Sequence, residues 1–273
     1  METVTTEPVA LRNRQRPALR LWREAVYAGV FYGLYWLVRN SQGSNKEATK
    51  QAFTNAKRVI QFERWTGVFH EETIQEAFLH ATWFVKLLNA YYGIAHFVVT
   101  IWALVWCYRN WPDRYRVIRN GLAFMTGIAL FGFFLFPLMP PRLLPQHYGF
   151  VDTLIKIGSP WNFESGPVAK VSNQFAAMPS LHFGWSAWCA VTFWPWAHNH
   201  IWRKIVLIFY PLLTLFAIVV TGNHYILDAV GGFVVFAVGL RLGTVLDRVG
   251  VMDVWRNRSR GSTPQQSSTH HGH

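Results

Sequence analysis

Six long apolar stretches, at 21–38, 83–107, 121–139, 181–197, 205–220 and 225–240, constrain this chain more than any other feature. Several approach the ~20 residues that a helix needs to cross a bilayer core. Six of them together leave too little polar surface for a soluble bundle. Only 15% of residues are charged, where about a quarter is usual for a soluble domain. The chain therefore reads as an all-α, polytopic membrane helix bundle with six transmembrane helices over 19–248. A disordered basic N-tail (1–18) and a disordered C-tail (249–273) flank it, the latter rich in Ser, Gln and His beyond Arg256. The closing "HHGH" is too short and interrupted for a metal site. The first stretch starts too far in for a signal peptide and lacks a small-residue cleavage site, so it is expected to remain as a helix.

A net charge of +12 would suggest nucleic acid in a soluble protein, but its distribution argues otherwise. With an even number of crossings, both termini share a side with the 109–119 loop and the Arg203–Lys204 pair. That side carries 16 basic and 6 acidic residues, and the opposite side 10 basic and 8 acidic. By the positive-inside rule the termini are cytoplasmic, the protein sits in the cell membrane, and no nucleic-acid patch is implied. The 140–180 loop, His182 and the Gly222–His224 turn then meet on the outer face. Residues 45–80 differ from the spans. Ala52, Ala56, Val59 and Ile60 recur at helical spacing among Lys46, Lys50, Lys57 and Arg58, as in an amphipathic helix on the outer membrane surface. Cys107 and Cys189 fall inside apolar stretches, where a disulfide is not expected.

Two short segments carry chemistry. In "TGNHYILDAVGG" (221–232), His224 and Asp228 are four apart and share a helix face. A carboxylate on one imidazole nitrogen sets the tautomer and makes the other nitrogen a better nucleophile or base. A purely structural pair has the same spacing. In "AAMPSLHFGW" (176–185), Ser180 stands where a helix begins and is a plausible N-cap. The helix N-terminus beside His182 is then a ready phosphate site. Two histidines, a carboxylate and a helix N-terminus on one side suggest phosphoryl transfer.

"PSLH" followed by "GNHYILD", with "PPR" and "SNQFAAMPSLH" before them, resembles the type-2 phosphatidic acid phosphatase superfamily over about residues 45–245. The likeness is closer to its branch around inositol phosphorylceramide synthase, of actinobacterial type. The resemblance implies that His224 is the nucleophile forming a phosphohistidine, Asp228 its orienting carboxylate, and His182 the acid for the leaving alcohol and then the base for the acceptor. Ser180 and nearby amides would hold phosphate oxygens. No metal or organic cofactor is expected. The chain also departs from the family pattern: Leu135 stands where the first motif has Lys, and Ala217 and Ile218 stand where the third has Ser-Arg. Arg142 is the best substitute cation, with Lys170 and Asn173 behind it, although an interfacial arginine binding lipid headgroups has the same appearance.

Asn89 and Tyr92 share a face with His96 and are expected to line the pocket. His96 itself, ~20 Å along the helix from Trp83 at 1.5 Å per residue, is expected to be a packing residue too deep for the chemistry. The implied activity is transfer of a phosphoryl or phospho-headgroup, for example phosphoinositol, from a phospholipid to a lipid alcohol. The alternative is a lipid or polyprenyl phosphate phosphatase in which water is the acceptor. The partners are membrane lipids in either case. Other classes, a haem-binding membrane protein or a transporter using His224 and Asp228 as a proton relay, fit the "PS" dipeptide and the carboxylate less well, and no inverted repeat is evident.

Overall fold

The computed structural model describes residues 46–158 and 174–260, with side chains to 249, and the isolated helical positions Trp22, Val26, Gly29 and Gly33. The N-tail, most of the 21–38 stretch, Lys170 and Asn173 lie outside the described residues. The described helices are α1 (Lys46–Thr66), α2 (Glu71–Leu79), α3 (Thr82–Asn110), α4 (Pro112–Leu135), the single turn α5 (Thr153–Lys156), α6 (Leu181–Ala197), α7 (Ile201–Val220) and α8 (Ile226–Arg260). Two 3-10 turns, Pro141–Leu143 and Gln146–Tyr148, lie between α4 and α5. Among the described residues no strand forms beyond one bridge between Leu138 and Ala176. Helix α8 continues to Arg260, past the 249 boundary expected for the C-tail.

Among the described residues four helices are long and apolar enough to cross a membrane: α3, α4, α7 and the Ile226–Val249 part of α8. The expected span at 181–197 becomes α6, which at 17 residues extends about 25 Å at 1.5 Å per residue. Its short length suits its position, because it is packed on α3, α7 and α8, with Trp188 and Cys189 each 1% exposed. Trp188 Nε1 donates to Ile118 O at 2.9 Å, giving the indole N–H a partner in the apolar interior.

The α3–α4 turn follows from Pro112. Proline removes a backbone donor and disfavours helical geometry in the residue before it. Trp111 is accordingly out of the helical region (φ −138°, ψ 57°) and separates the two helices. The α4–α8 and α6–α8 contacts use small residues, as helix association in lipid does where no hydrophobic gain drives it. A Cβ on Gly239 would lie 2.6 Å from Met125 N. One on Gly232 would collide with Ser180 O, so the start of α6 rests directly on the α8 backbone.

Helix α1 corrects one expectation. Its stripe of Ala52, Ala56, Val59 and Ile60 is buried as the spacing requires, but against protein rather than lipid. The covering residues include Leu138, Met139, Leu144, Phe150, Phe175 and Tyr225. Met139 N donates to Ala52 O at 3.2 Å, and Asn55 Nδ2 to Pro137 O at 2.9 Å. The loop after α4 supplies the apolar surface that the bilayer was expected to provide. Phe62 and Trp65, near the end of α1, remain exposed.

Candidate active site

The site forms where the starts of α6 and α8 meet the side of α3. Helix α7 ends at Val220, and the chain turns through Gly222, whose φ of +69° lies in the left-handed region that glycine adopts at little cost. Asn223 N and His224 N both donate to Ile218 O, at 3.0 and 3.2 Å. This turn delivers His224, 4% exposed, to the mouth of α8. Asp228, one helical turn on, is fully buried. Its Oδ2 accepts from Tyr225 N at 3.0 Å and lies 3.2 Å from His224 Nδ1. With that carboxylate on Nδ1, the imidazole presents Nε2 as its reactive nitrogen.

Ser180 is the N-cap of α6, its Oγ accepting from Phe183 N at 3.4 Å, while its own N–H donates to Asp228 O at 2.9 Å. The two helix starts are thereby joined. His182, in the first turn of α6, has its ring centroid 5.5 Å from that of His224. At that separation both rings can reach a single bound group at hydrogen-bond distances of about 3 Å. Tyr92 stacks on His182 at 4.2 Å and meets His224 edge-on at 6.4 Å.

His96 is placed otherwise than its depth along α3 suggested. Its ring centroid is 4.2 Å from that of His182, at an interplanar angle of 61°, and its Nδ1 lies 3.0 Å from Tyr92 O. Depth counted from Trp83 assumed that α3 enters the membrane where it begins, whereas α2 and the α5 turn pack against α3, the latter tied to it at Asn89. Tyr92 and His96, four apart on α3, bracket His182 between them.

Asn89 also departs from expectation. Both of its amide hydrogens are committed, to Thr153 O at 3.0 Å and Gly158 O at 2.9 Å, and its Oδ1 accepts from Thr153 Oγ1 at 3.0 Å. At 1% exposure it anchors the α5 loop rather than lining a pocket. Its helical spacing from Tyr92 is real, but a loop distant in sequence covers it. Arg142 stands beside the His224 turn, with its backbone N donating to Gly222 O at 2.8 Å. Its Nη1 pairs with Asp152 at 2.8 Å, and Asp152 in turn caps α5 through Leu154 N and Ile155 N.

Sequence reasoning missed two buried acids, Glu63 and Glu71. Glu71 Oε1 accepts from Ile226 N at 2.9 Å and Glu63 Oε1 from Leu227 N at 2.6 Å. With Asp228 on Tyr225 N, three successive amides at the start of α8 are each taken by a carboxyl group. Of the two helix starts at the site, that of α8 is closed to an anion by the protein's own acids. The start of α6 keeps its anion-attracting character. A signal for Glu63 existed: it continues the 52, 56, 59 and 60 stripe as the one acid on an apolar face. Glu71 carried no comparable mark.

Residues 57–242, more than half of the chain, match the family described as the PAP2 superfamily. The chain belongs to the PAP2 superfamily. It is a phosphatase-type enzyme, a membrane protein of the phosphatase or phosphotransferase type. No curated protein and no solved structure matches it. Among the described residues no cluster of three or more His, Cys, Asp or Glu is arranged to hold a metal ion.

Proposed function

We propose that this superfamily member is a lipid phosphotransferase of the branch around inositol phosphorylceramide synthase. It moves a phosphoryl or phospho-headgroup, such as phosphoinositol, from a phospholipid donor to a lipid alcohol. The observation that carries the reading is the buried His224–Asp228 pair with the His182 ring 5.5 Å from that of His224. His224 Nε2 attacks phosphorus, the bond from phosphorus to the donor's alcohol oxygen breaks, and that oxygen takes a proton from His182. The acceptor hydroxyl then returns a proton to His182 as its oxygen attacks phosphorus and the P–N bond breaks. Asp228 offsets the positive charge that His224 gains in the first step.

The start of α6, with Ser180 at its head, is assigned to the phosphate oxygens, and Arg142 to the role of the missing family cations. Tyr92 and His96 hold the His182 ring from two sides. The same residues with water as acceptor make a phosphatase. The proposed frame is six spans in the cell membrane, with both termini cytoplasmic and the site outside. Its support is the run of Arg109, Arg114, Arg116 and Arg119 at the α3–α4 turn, the end of those helices away from the site. The test is lipid mass spectrometry of the purified protein incubated with a phosphatidylinositol donor and a lipid alcohol. New phosphodiester lipid is the expected product. Release of inositol phosphate alone would assign the enzyme to hydrolysis.

A further inference from the structure

The two buried acids behind His224 have no part in the transfer steps. Glu63 comes from α1, Glu71 from α2, and neither is exposed at all. Their targets, Leu227 N and Ile226 N, are 164 and 155 residues further along the chain. Burial of a carboxyl group is costly, and the first amides of a helix can be capped by a serine or by water. Two glutamates from separate helices are an expensive way to cap α8 if capping is their only purpose.

We propose that Glu63 and Glu71 form a carboxyl clamp on the first turn of α8 that positions His224 and Asp228 for the transfer reaction. The inference rests on the reading of His224 as the reacting group. Ile226 and Leu227 lie between His224 and Asp228 in sequence, so fixing their amides fixes the backbone from which both side chains project. The clamp also ties the His224 turn to α1 and α2, which are outside the four membrane-crossing helices.

Three acids at one helix start cannot all be ionised without water. Burial first, and the neighbouring Glu71 charge second, push the Glu63 carboxyl up to about 9. Glu63 is therefore neutral at neutral pH. The other titratable groups near it are Asp228 and Tyr225, the latter tied by its hydroxyl to Met139 O at 3.0 Å. The folded protein holds a proton that the unfolded chain releases above about 4.5, so this contribution to stability falls as pH rises from about 4.5 to about 9. Above that window the clamp carries an extra buried negative charge.

The test uses the full chain in detergent with a nitrophenyl phosphate ester. Glu63→Ala removes the acceptor for Leu227 N and is expected to lower kcat about 10- to 100-fold, with KM changed less than about threefold, as for a loss of positioning rather than of binding. Glu63→Gln reproduces the neutral carboxyl. It is expected to keep kcat within about threefold of the parent and to hold its activity above about pH 9, where the parent declines. A second arm needs no turnover: the pH dependence of the thermal midpoint in His224→Ala, with and without Glu63→Gln. The double variant is expected to lose the fall in stability between about 4.5 and about 9. Identical pH profiles in both arms overturn the clamp. Residual turnover in His224→Ala would instead sink the phosphohistidine reading, leaving the stability arm to decide the clamp by itself.

Discussion

Replacing Asp228 by Asn removes one charge from the centre of the site while keeping the side chain's shape. In the parent, one buried oxygen serves both His224 Nδ1 at 3.2 Å and Tyr225 N at 3.0 Å. The asparagine oxygen can replace that oxygen for only as long as its NH2 group does not turn toward the ring. Even in the favourable orientation the imidazolium formed on attack loses a charge-assisted hydrogen bond, about 1.5–3 kcal/mol, or about 10- to 100-fold in rate at 1.36 kcal/mol per decade. In the unfavourable orientation Nδ1 is offered a donor, the tautomer reverses, and the loss approaches about 10⁴-fold. The expected result is a fall in kcat of about 10–10⁴-fold, with little change in KM because the carboxylate faces His224 and not the substrate. Stopped-flow release of nitrophenolate from an activated ester measures the first step directly. A burst as fast as the parent's would show that Asp228 only caps α8 and that His224 needs no oriented tautomer.

The remaining predictions address the other parts of the site. His182→Ala should lose about 10²–10⁴-fold with an alkyl phosphate ester yet recover much of the first-step rate with a nitrophenyl ester, because an acidic leaving group needs little proton donation; His224→Ala should give no burst with either, and an equal response of the two variants refutes the acid and nucleophile assignments. Arg142→Lys keeps the charge but loses the planar fork, so KM should rise roughly tenfold. A lower thermal midpoint with unchanged KM would show instead that Arg142 serves only to hold Asp152 and the α5 loop. Gly232→Ala forces a Cβ toward Ser180 O and should cost about 1–3 kcal/mol in urea or thermal unfolding. Parental stability there would mean that the start of α6 does not rest on α8.

What the sequence determined by itself was local in character. A long apolar run must become a helix in lipid because only internal hydrogen bonds can satisfy its backbone, so α3, α4, α7 and α8 were legible from their length. The N-cap at Ser180 and the shared face of His224 and Asp228 are properties of three or four consecutive residues, set by helix geometry. The PAP2 motifs are equally local. Tertiary structure decided which partner covers each face. The α1 stripe could be read as amphipathic, but periodicity does not say whether lipid or the 138–150 loop covers it. Asn89 and His96 lie on the same stripe of α3 as Tyr92, yet the α5 loop claims Asn89 while the start of α6 brings His182 against His96. Arg142 could be read from the sequence as a substitute phosphate-binding cation or as an interfacial one, but its pairing with Asp152 exists only in the fold. Glu63 and Glu71 show the limit most plainly: two acids on separate helices acquire their meaning only when folding brings them to amides more than a hundred residues away. Spacing along a chain fixes direction on one helix. The environment that makes a buried carboxyl group functional is built from segments whose mutual approach no local pattern records.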